Sequence, residues 1–389
     1  MRAGKTIFAQ VIEWIHPEQF RRCVQRYHGN HSIRNFPCWD QFLAMSFAQI
    51  TYRESLADIE VCLRSRPDQL YHMGFRSTVA HSTLADANRS RHWRIYHDLA
   101  QTLIARARRL YANESFGVEL SQTVYALDST TIDLCLSLFP WARFRSTKSA
   151  VKLHTLLDLR GPIPTMIAIS QGKQADVGVL DEMILEPGAF YVMDRGYVDF
   201  ARLYRFVLAG AFFVTRAKAG LQINRLESRP VNPSTGVRSD QIVWLKRTQS
   251  IEHYPDRFRR IGYRDPETDK ALVFLTNNFD LPALTIAQLY KCRWRVELFF
   301  KWIKQNLRIK HFFGTTDNAV KTQVWIAVCV YMLVAILRKE LGLEVSLSQI
   351  LQILSVNVFE QMPLTELVAI SASQSETYES CNQLVFNMI

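Results

Sequence analysis

Near Val124 the spacing of apolar residues changes character, and that change constrains the fold more than any other feature of the chain. Upstream, from residue 1 to about 112, apolar side chains recur at helical intervals. Ile7–Ile15 and Phe42–Ile50 are examples, with polar breaks such as Tyr27–Arg34 between segments. Downstream come the strand-like runs Thr123–Leu127, Val151–Leu159 and Pro164–Ser170, the last two joined by the hairpin-turn sequence Asp158-Leu159-Arg160-Gly161. A helix-like segment (Ala175–Leu185), a strand (Ala189–Met193), a helix (Phe200–Ala209) and a strand (Ala211–Thr215) follow. Strands followed by helix–strand alternation predict a mixed α/β sheet behind an all-helical N-terminal domain.

Residues 218–280 read differently again. They hold Gly220, Pro230, Pro233 and Gly236, then β-like runs at Gln241–Lys246, Arg259–Tyr263 and Ala271–Leu275, which predict a small β-rich insertion. A long helix is expected from Thr285, where Thr285 and Gln288 fit a capping box just beyond Pro282, and no Gly or Pro follows until Gly314. The tail after Gly342 reads as helical and then polar over Ser371–Ser380. The expected divisions are 1–112 (helical), 113–217 (first part of the α/β core), 218–280 (insertion), 281–340 (second part of the core) and 341–389 (helical).

The 389 residues are 48% hydrophobic, enough for sizeable cores, and carry 47 Lys and Arg against 36 Asp and Glu, a formal charge of +11. That excess favours a polyanionic partner without choosing between nucleic acid and a membrane surface. Seven arginines against two acids lie in Arg76–Arg109. There Ser82 fits an N-cap, and Thr83, Asn88, Arg89 and Arg91 offer a face for DNA; a solvated basic face is the plainer alternative. Seven scattered cysteines without close pairs argue against disulfides or structural zinc, and the ten histidines show no metal spacing. Gln10, Glu13 and His16 interrupt any signal-like run, and the apolar stretch Val324–Leu337 is short of a bilayer span. A cytoplasmic protein with no membrane partner is expected.

Chemistry enters with the helix Tyr290–Arg308. At about 100° per residue, Tyr290, Arg293, Glu297, Lys301, Lys304 and Arg308 share one face, while Leu289, Cys292, Val296, Phe299, Ile303 and Leu307 form a separate stripe. One acid in a ladder of cations suits a carboxylate that holds a hard cation beside groups that hold phosphates. An ordinary pair of Glu297 with Arg293 or Lys301 is the simpler account. Two aspartates shift the balance, because Asp128 and Asp194 each end an apolar strand and precede a polar turn, where α/β sheets place ligands. Three clustered carboxylates stay ionised together only beside cations. Mg²⁺ ions, two of them about 3.5–4 Å apart, suit in-line phosphodiester displacement.

The spacing Tyr290-x2-Arg293-x3-Glu297-x6-Lys304 resembles the Tyr-Arg-Glu-Lys signature of DDE transposases of the insertion sequence 4 family. Leu127-Asp128-Ser129-Thr130-Thr131 and Met193-Asp194-Arg195-Gly196-Tyr197 are similar to the contexts of that family's two catalytic aspartates. The resemblance covers residues from about 5 to about 365. It implies a ribonuclease-H-like catalytic core with a β-rich insertion, and Mg²⁺- or Mn²⁺-dependent cleavage at transposon ends followed by attack of the freed 3′-hydroxyl on target DNA. By position, Asp128, Asp194 and Glu297 would bind metal, and Tyr290, Arg293 and Lys304 would grip phosphates. The partners implied are terminal inverted repeats and target DNA, with a homodimer in the DNA complex. Trp244, the one tryptophan of the insertion, is the candidate for stacking a flipped base, although a tryptophan packed in the strand core is the commoner case.

Lys152, His154, Arg195, Lys301 and Arg308 are auxiliary candidates, and Asp133 and Asp176 are either supports of the site or surface acids. Trp294 and Trp302 read as packing residues. Two other function classes fit the same residues: a non-catalytic DNA-binding protein descended from a transposase, and a structure-selective nuclease on the same fold.

Overall fold

The computed structural model describes residues 4–145, 148–246, 248–307, 309 and 311–368. The chain divides into two compact units, one made of residues 1–111 and 301–389 and the other of residues 112–300. The polar tail Ser371–Ser380 and the candidate Arg308 lie outside the described residues.

The first unit opens with seven helices: α1 (Ile7–Ile12), α2 (Pro17–Arg26), α3 (Cys38–Ile50), α4 (Leu56–Arg64), α5 (Pro67–His72), α6 (His81–Ser90) and α7 (Arg94–Tyr111). The helical reading of this region therefore agrees with the structure, but two details of α6 do not. Its N-cap is Ala80, not Ser82, and the Glu60 carboxylate accepts from the His81 backbone N–H at 2.9 Å. That bond satisfies one of the N–H groups left free at the start of the helix. Asn88 and Arg91 are buried, with Asn88 bonded to Gln41 and Arg91 to Gln41 and the Phe36 carbonyl. Thr83 and Arg89 stay exposed, and Arg89 pairs with Asp86.

The second unit is built on one ten-stranded sheet. Its strands are β1 (Val124–Leu134), β2 (Arg143–Arg145), β3 (Lys148–Asp158), β4 (Ile163–Gln171), β5 (Phe190–Met193), β6 (Phe212–Arg216), β7 (Ile223–Arg229), β8 (Val237–Leu245), β9 (Phe258–Arg264) and β10 (Ala271–Thr276). β1, β3 and β4 pair antiparallel, while β5 and β6 run parallel to β1 and to each other. The stretch expected as a helix at Ala175–Leu185 is a 3-10 segment, Asp176–Glu182, with Gly178 inside it. α8 (Phe200–Leu208) links β5 to β6, capped by the Asp199 carboxylate.

β10 pairs with β6, and β9, β8 and β7 follow in order. The β-rich stretch is thus continuous with the core sheet, to which it is joined by the pairing of β10 with β6. α9 (Thr248–His253) packs on α8 and β8. Beyond β10 come α10 (Ala283–Lys291) and α11 (Trp294–Asn306). The expected single helix is broken at Cys292–Arg293, where shorter bonds run from Arg293 N to Tyr290 O and from Val296 N to Arg293 O. α10 starts from Pro282 without a side-chain cap, so the capping box at Thr285 is not formed.

Two more helices, α12 (Asp317–Glu340) and α13 (Leu347–Asn357), pack with α1, α3, α6 and α7 in the first unit. The C-terminal part of the chain therefore joins the N-terminal helices instead of standing as the divisions 281–340 and 341–389. Val324–Leu337 of α12 is buried throughout and forms the axis of this helical core. α12 is long and apolar enough to cross a membrane, and its burial accounts for that composition.

Candidate active site

Register brings the two aspartates together. In the parallel pair of β1 and β5, Leu127 stands opposite Met193; the next residues are Asp128 and Asp194. β5 stops at Met193, but β1 runs on to Leu134. Asp128 is therefore not at a strand end as expected. It sits mid-strand, paired with Thr155 of β3, at the level where its parallel neighbour gives out.

Alternation along β1 separates the two faces of the sheet. Tyr125 and Leu127 join the apolar cluster that holds Leu203 and Phe206 of α8. Asp128 faces the other way, toward the turn between α10 and α11, where the Arg293 guanidinium pairs with both Asp128 and Glu297. Its bond to Glu297 Oε1 is 2.5 Å long, so the ordinary Arg293–Glu297 pair exists and a second acid is added to it. Arg295 fixes the turn by donating to the carbonyls of Leu159 and Phe116, each at 2.9 Å. No sequence signal set Arg295 apart from its basic neighbours.

Asp194 accepts from the Arg195 backbone N–H at 2.7 Å and from the Tyr290 hydroxyl at 3.4 Å. Arg216, one residue past the Thr215 that pairs with Met193, reaches Asp194 at 3.4 Å. Sequence reasoning missed Arg216; its place at the end of a strand parallel to β5 was the available signal. Tyr290 is buried against Phe274, and burial pushes its phenol up. Burial likewise holds the Asp128 carboxyl above the ordinary aspartate range. The Ser129 N–H and Arg293 oppose that shift, and the charges of Glu297 and Asp194 add to it.

The other candidates fall out unevenly. Lys301 is exposed and Lys304 half-buried, and both belong to the other compact unit. Lys152 and His154 turn to the face of the sheet opposite Asp128 and engage Asp176. Arg195 is exposed and Asp133 is an exposed acid on β1. Trp244 is 43% exposed and Trp294 58% exposed, so neither is a packed core residue. Trp302 packs edge-on against Tyr331.

Asp128, Asp194 and Glu297 supply the hard oxygen donors that Mg²⁺ and Mn²⁺ prefer. Among the described residues no three such groups lie close enough to hold a metal ion as they stand, and the Arg293 guanidinium lies between two of the three acids. The donor chemistry fits a divalent ion, and Arg293 engages one oxygen each of Asp128 and Glu297.

These features set acids on a mixed sheet beside an arginine whose planar fork suits carboxylate and phosphate alike. The family model for the transposase DDE domain matches residues 119–333, more than half of the chain. A domain of unknown function (DUF4372) matches residues 3–76. A Sinorhizobium fredii protein named as the transposase y4zB is 31% identical over 257 residues, covering 65% of this chain and 70% of the relative. A Geobacillus stearothermophilus protein named as the transposase of insertion sequence element IS5377 is 33% identical over 53% of this chain and 54% of its own. A Synechocystis protein named for element IS4SA is 24% identical over 82% of this chain and 88% of its own. The chain belongs to the DDE transposases, a family whose chemistry depends on divalent metal ions.

Proposed function

We propose that this transposase cleaves DNA at insertion-sequence ends and joins the freed 3′-hydroxyl ends to target DNA, with Asp128, Asp194 and Glu297 as its metal ligands. The observation that carries the reading is the adjacent register of Asp128 and Asp194 on parallel strands, with Glu297 tied to Asp128 through Arg293. The antiparallel set β4-β3-β1 followed by parallel β5 and β6 supports a ribonuclease-H-like core.

One or two Mg²⁺ or Mn²⁺ ions, when bound, would supply positive charge to the attacking and leaving oxygens of the displacement. Arg293 offers a planar fork that suits phosphate as well as carboxylate, so DNA phosphate can replace the acids it now holds. Tyr290, donating to Asp194, restrains that carboxylate and offers its hydroxyl to the same phosphate group. Lys304 is assigned to phosphate binding by its place in the Tyr-Arg-Glu-Lys spacing. The exposed Trp244 is assigned as a stacking surface for an unpaired base. The partners proposed are terminal inverted repeats and target DNA, bound by a homodimer.

The test is incubation of the purified protein with duplexes carrying the element's ends and a target plasmid, with Mg²⁺ or Mn²⁺. The expected products are ends with free 3′-hydroxyls and joined molecules, both absent in Asp128→Ala, Asp194→Ala and Glu297→Ala proteins that still bind the ends. Normal cleavage by any one variant removes that residue from the site. Cleavage without joining identifies a nuclease, and binding without cleavage identifies a DNA-binding protein.

A further inference from the structure

The face of the sheet opposite Asp128 holds a charged network that the proposed reaction does not use. Ser129, next in β1, donates its backbone N–H to Asp128 Oδ1 at 2.8 Å and its hydroxyl to Asp176 Oδ1 at 2.9 Å. Lys152 Nζ donates to the same Asp176 oxygen at 3.0 Å and to the Gln174 carbonyl at 3.0 Å. His154 stands directly opposite Ser129 across the β1–β3 pair. Its Nδ1 lies 3.7 Å from Asp176 Oδ1, and its Nε2 lies 2.8 Å from Ser170 Oγ. His154 is 2% exposed, and its Nδ1 has no hydrogen-bond partner. The buried Tyr197 hydroxyl faces the same network, close enough to Asp128 and Asp176 for both charges to act on it.

Groups from two strands converge on one oxygen of Asp176. The largely buried Lys152 ammonium needs a counter-charge, and Asp176 supplies it. The same carboxylate fixes the Ser129 hydroxyl, and Ser129 is the residue whose N–H orients the Asp128 carboxylate. We propose that Asp176 is a positioning residue for Asp128, acting through Ser129 from behind the sheet. The inference rests on Asp128 being a metal ligand. Groups that orient a ligand typically change metal affinity about 10–100-fold when removed.

The experiment measures Mn²⁺ uptake by electron paramagnetic resonance, the Mn²⁺ concentration for half-maximal end cleavage, end binding in chelator, and thermal melting. Asp176→Ala and Ser129→Ala are each expected to raise both Mn²⁺ concentrations by about tenfold or more, with end binding in chelator unchanged. Ser129→Thr, which keeps the hydroxyl, is expected to stay within about twofold of the native protein, and the double Ala variant is expected to be no worse than the worse single one. Lower activity at every Mn²⁺ concentration with unchanged half-saturation means a structural role only and overturns the proposal, as does native behaviour. Should Asp176→Ala not fold, the Ser129 pair decides alone. If Asp128→Ala takes up Mn²⁺ like the native protein, the metal reading of Asp128 itself fails. If Asp128→Ala loses uptake while the Asp176 and Ser129 variants keep it, only the present inference fails.

Discussion

Two arginine–carboxylate clusters in the sheet unit look alike in composition and differ in closure. Between β8 and β9, Arg259 forms a fork with Asp240 at 2.7 and 2.6 Å and donates a third bond to the Leu281 carbonyl at 2.5 Å. Its two side chains are 2% and 6% exposed. One cation meets one acid, and every direction is used. At the candidate site Arg293 is shared by Asp128 and Glu297, and Arg216 reaches Asp194. Three acids there face two guanidiniums, and the Arg293 and Asp128 side chains keep 17% and 19% exposure. The saturated pair leaves no acid without a cation, whereas the proposed function has the unbalanced, accessible cluster take a cation and a phosphate.

Breaking the unbalanced cluster should therefore remove chemistry and spare the fold. Asp128→Ala or Asp194→Ala is expected to lower end cleavage by on the order of a thousandfold or more, with an unchanged melting profile, as checked by gel assay and calorimetry. Breaking the saturated pair should do the reverse. Arg259→Ala leaves the Asp240 charge buried without its partner, and about 3–5 kcal/mol of stability should be lost. A shift of the urea midpoint reads that loss, and a midpoint within error of the native protein would show that water replaces the arginine.

The same contrast explains what the sequence disclosed. The helical first third was legible because helical spacing reports burial of one face, as in Phe42–Ile50. Asp194 was legible because its strand really ends there. Asp128 was mislocated because strand length depends on pairing: β3 carries β1 past the point where β5 stops, and no local signal records a partner's length. The break at Cys292–Arg293 contains neither Gly nor Pro, and it is held by Arg295 reaching carbonyls at Phe116 and Leu159, contacts distant in sequence. Arg216 came beside Asp194 only through sheet register. The β-rich stretch was legible as strands between turns that hold Gly and Pro, but its pairing with the core through β10 and β6 has no local signal.

A smaller effect sharpens the comparison at Arg293 itself. Arg293→Ala takes the shared cation from Asp128 and Glu297, whose side chains are 19% and 35% exposed, so about 1–3 kcal/mol of stability should be lost. Binding to element ends should weaken, and the slope of log affinity against log salt should fall by about one unit. Fluorescence anisotropy across a salt series measures it, and an unchanged slope would remove Arg293 from the phosphate contacts.

The smallest effect comes from a buried acid in the helical unit that lacks an arginine fork. Asp40 on α3 is fully buried, and among the described residues neither carboxylate oxygen has a hydrogen-bond partner. Burial raises its carboxyl above the ordinary aspartate range, against the opposing influence of Arg76 and Arg91. A raised folded value means that the folded protein holds this proton more tightly than the unfolded chain. Stability then falls as pH climbs from the ordinary aspartate value through the raised one, and stays lower above it. Asp40→Asn does not titrate, so it should gain on the order of 1 kcal/mol over the native protein at pH 7. The gain should vanish below the ordinary aspartate value, where the native carboxyl is neutral in both states. Urea midpoints at the two pH values separate this from a packing effect, which would shift both equally.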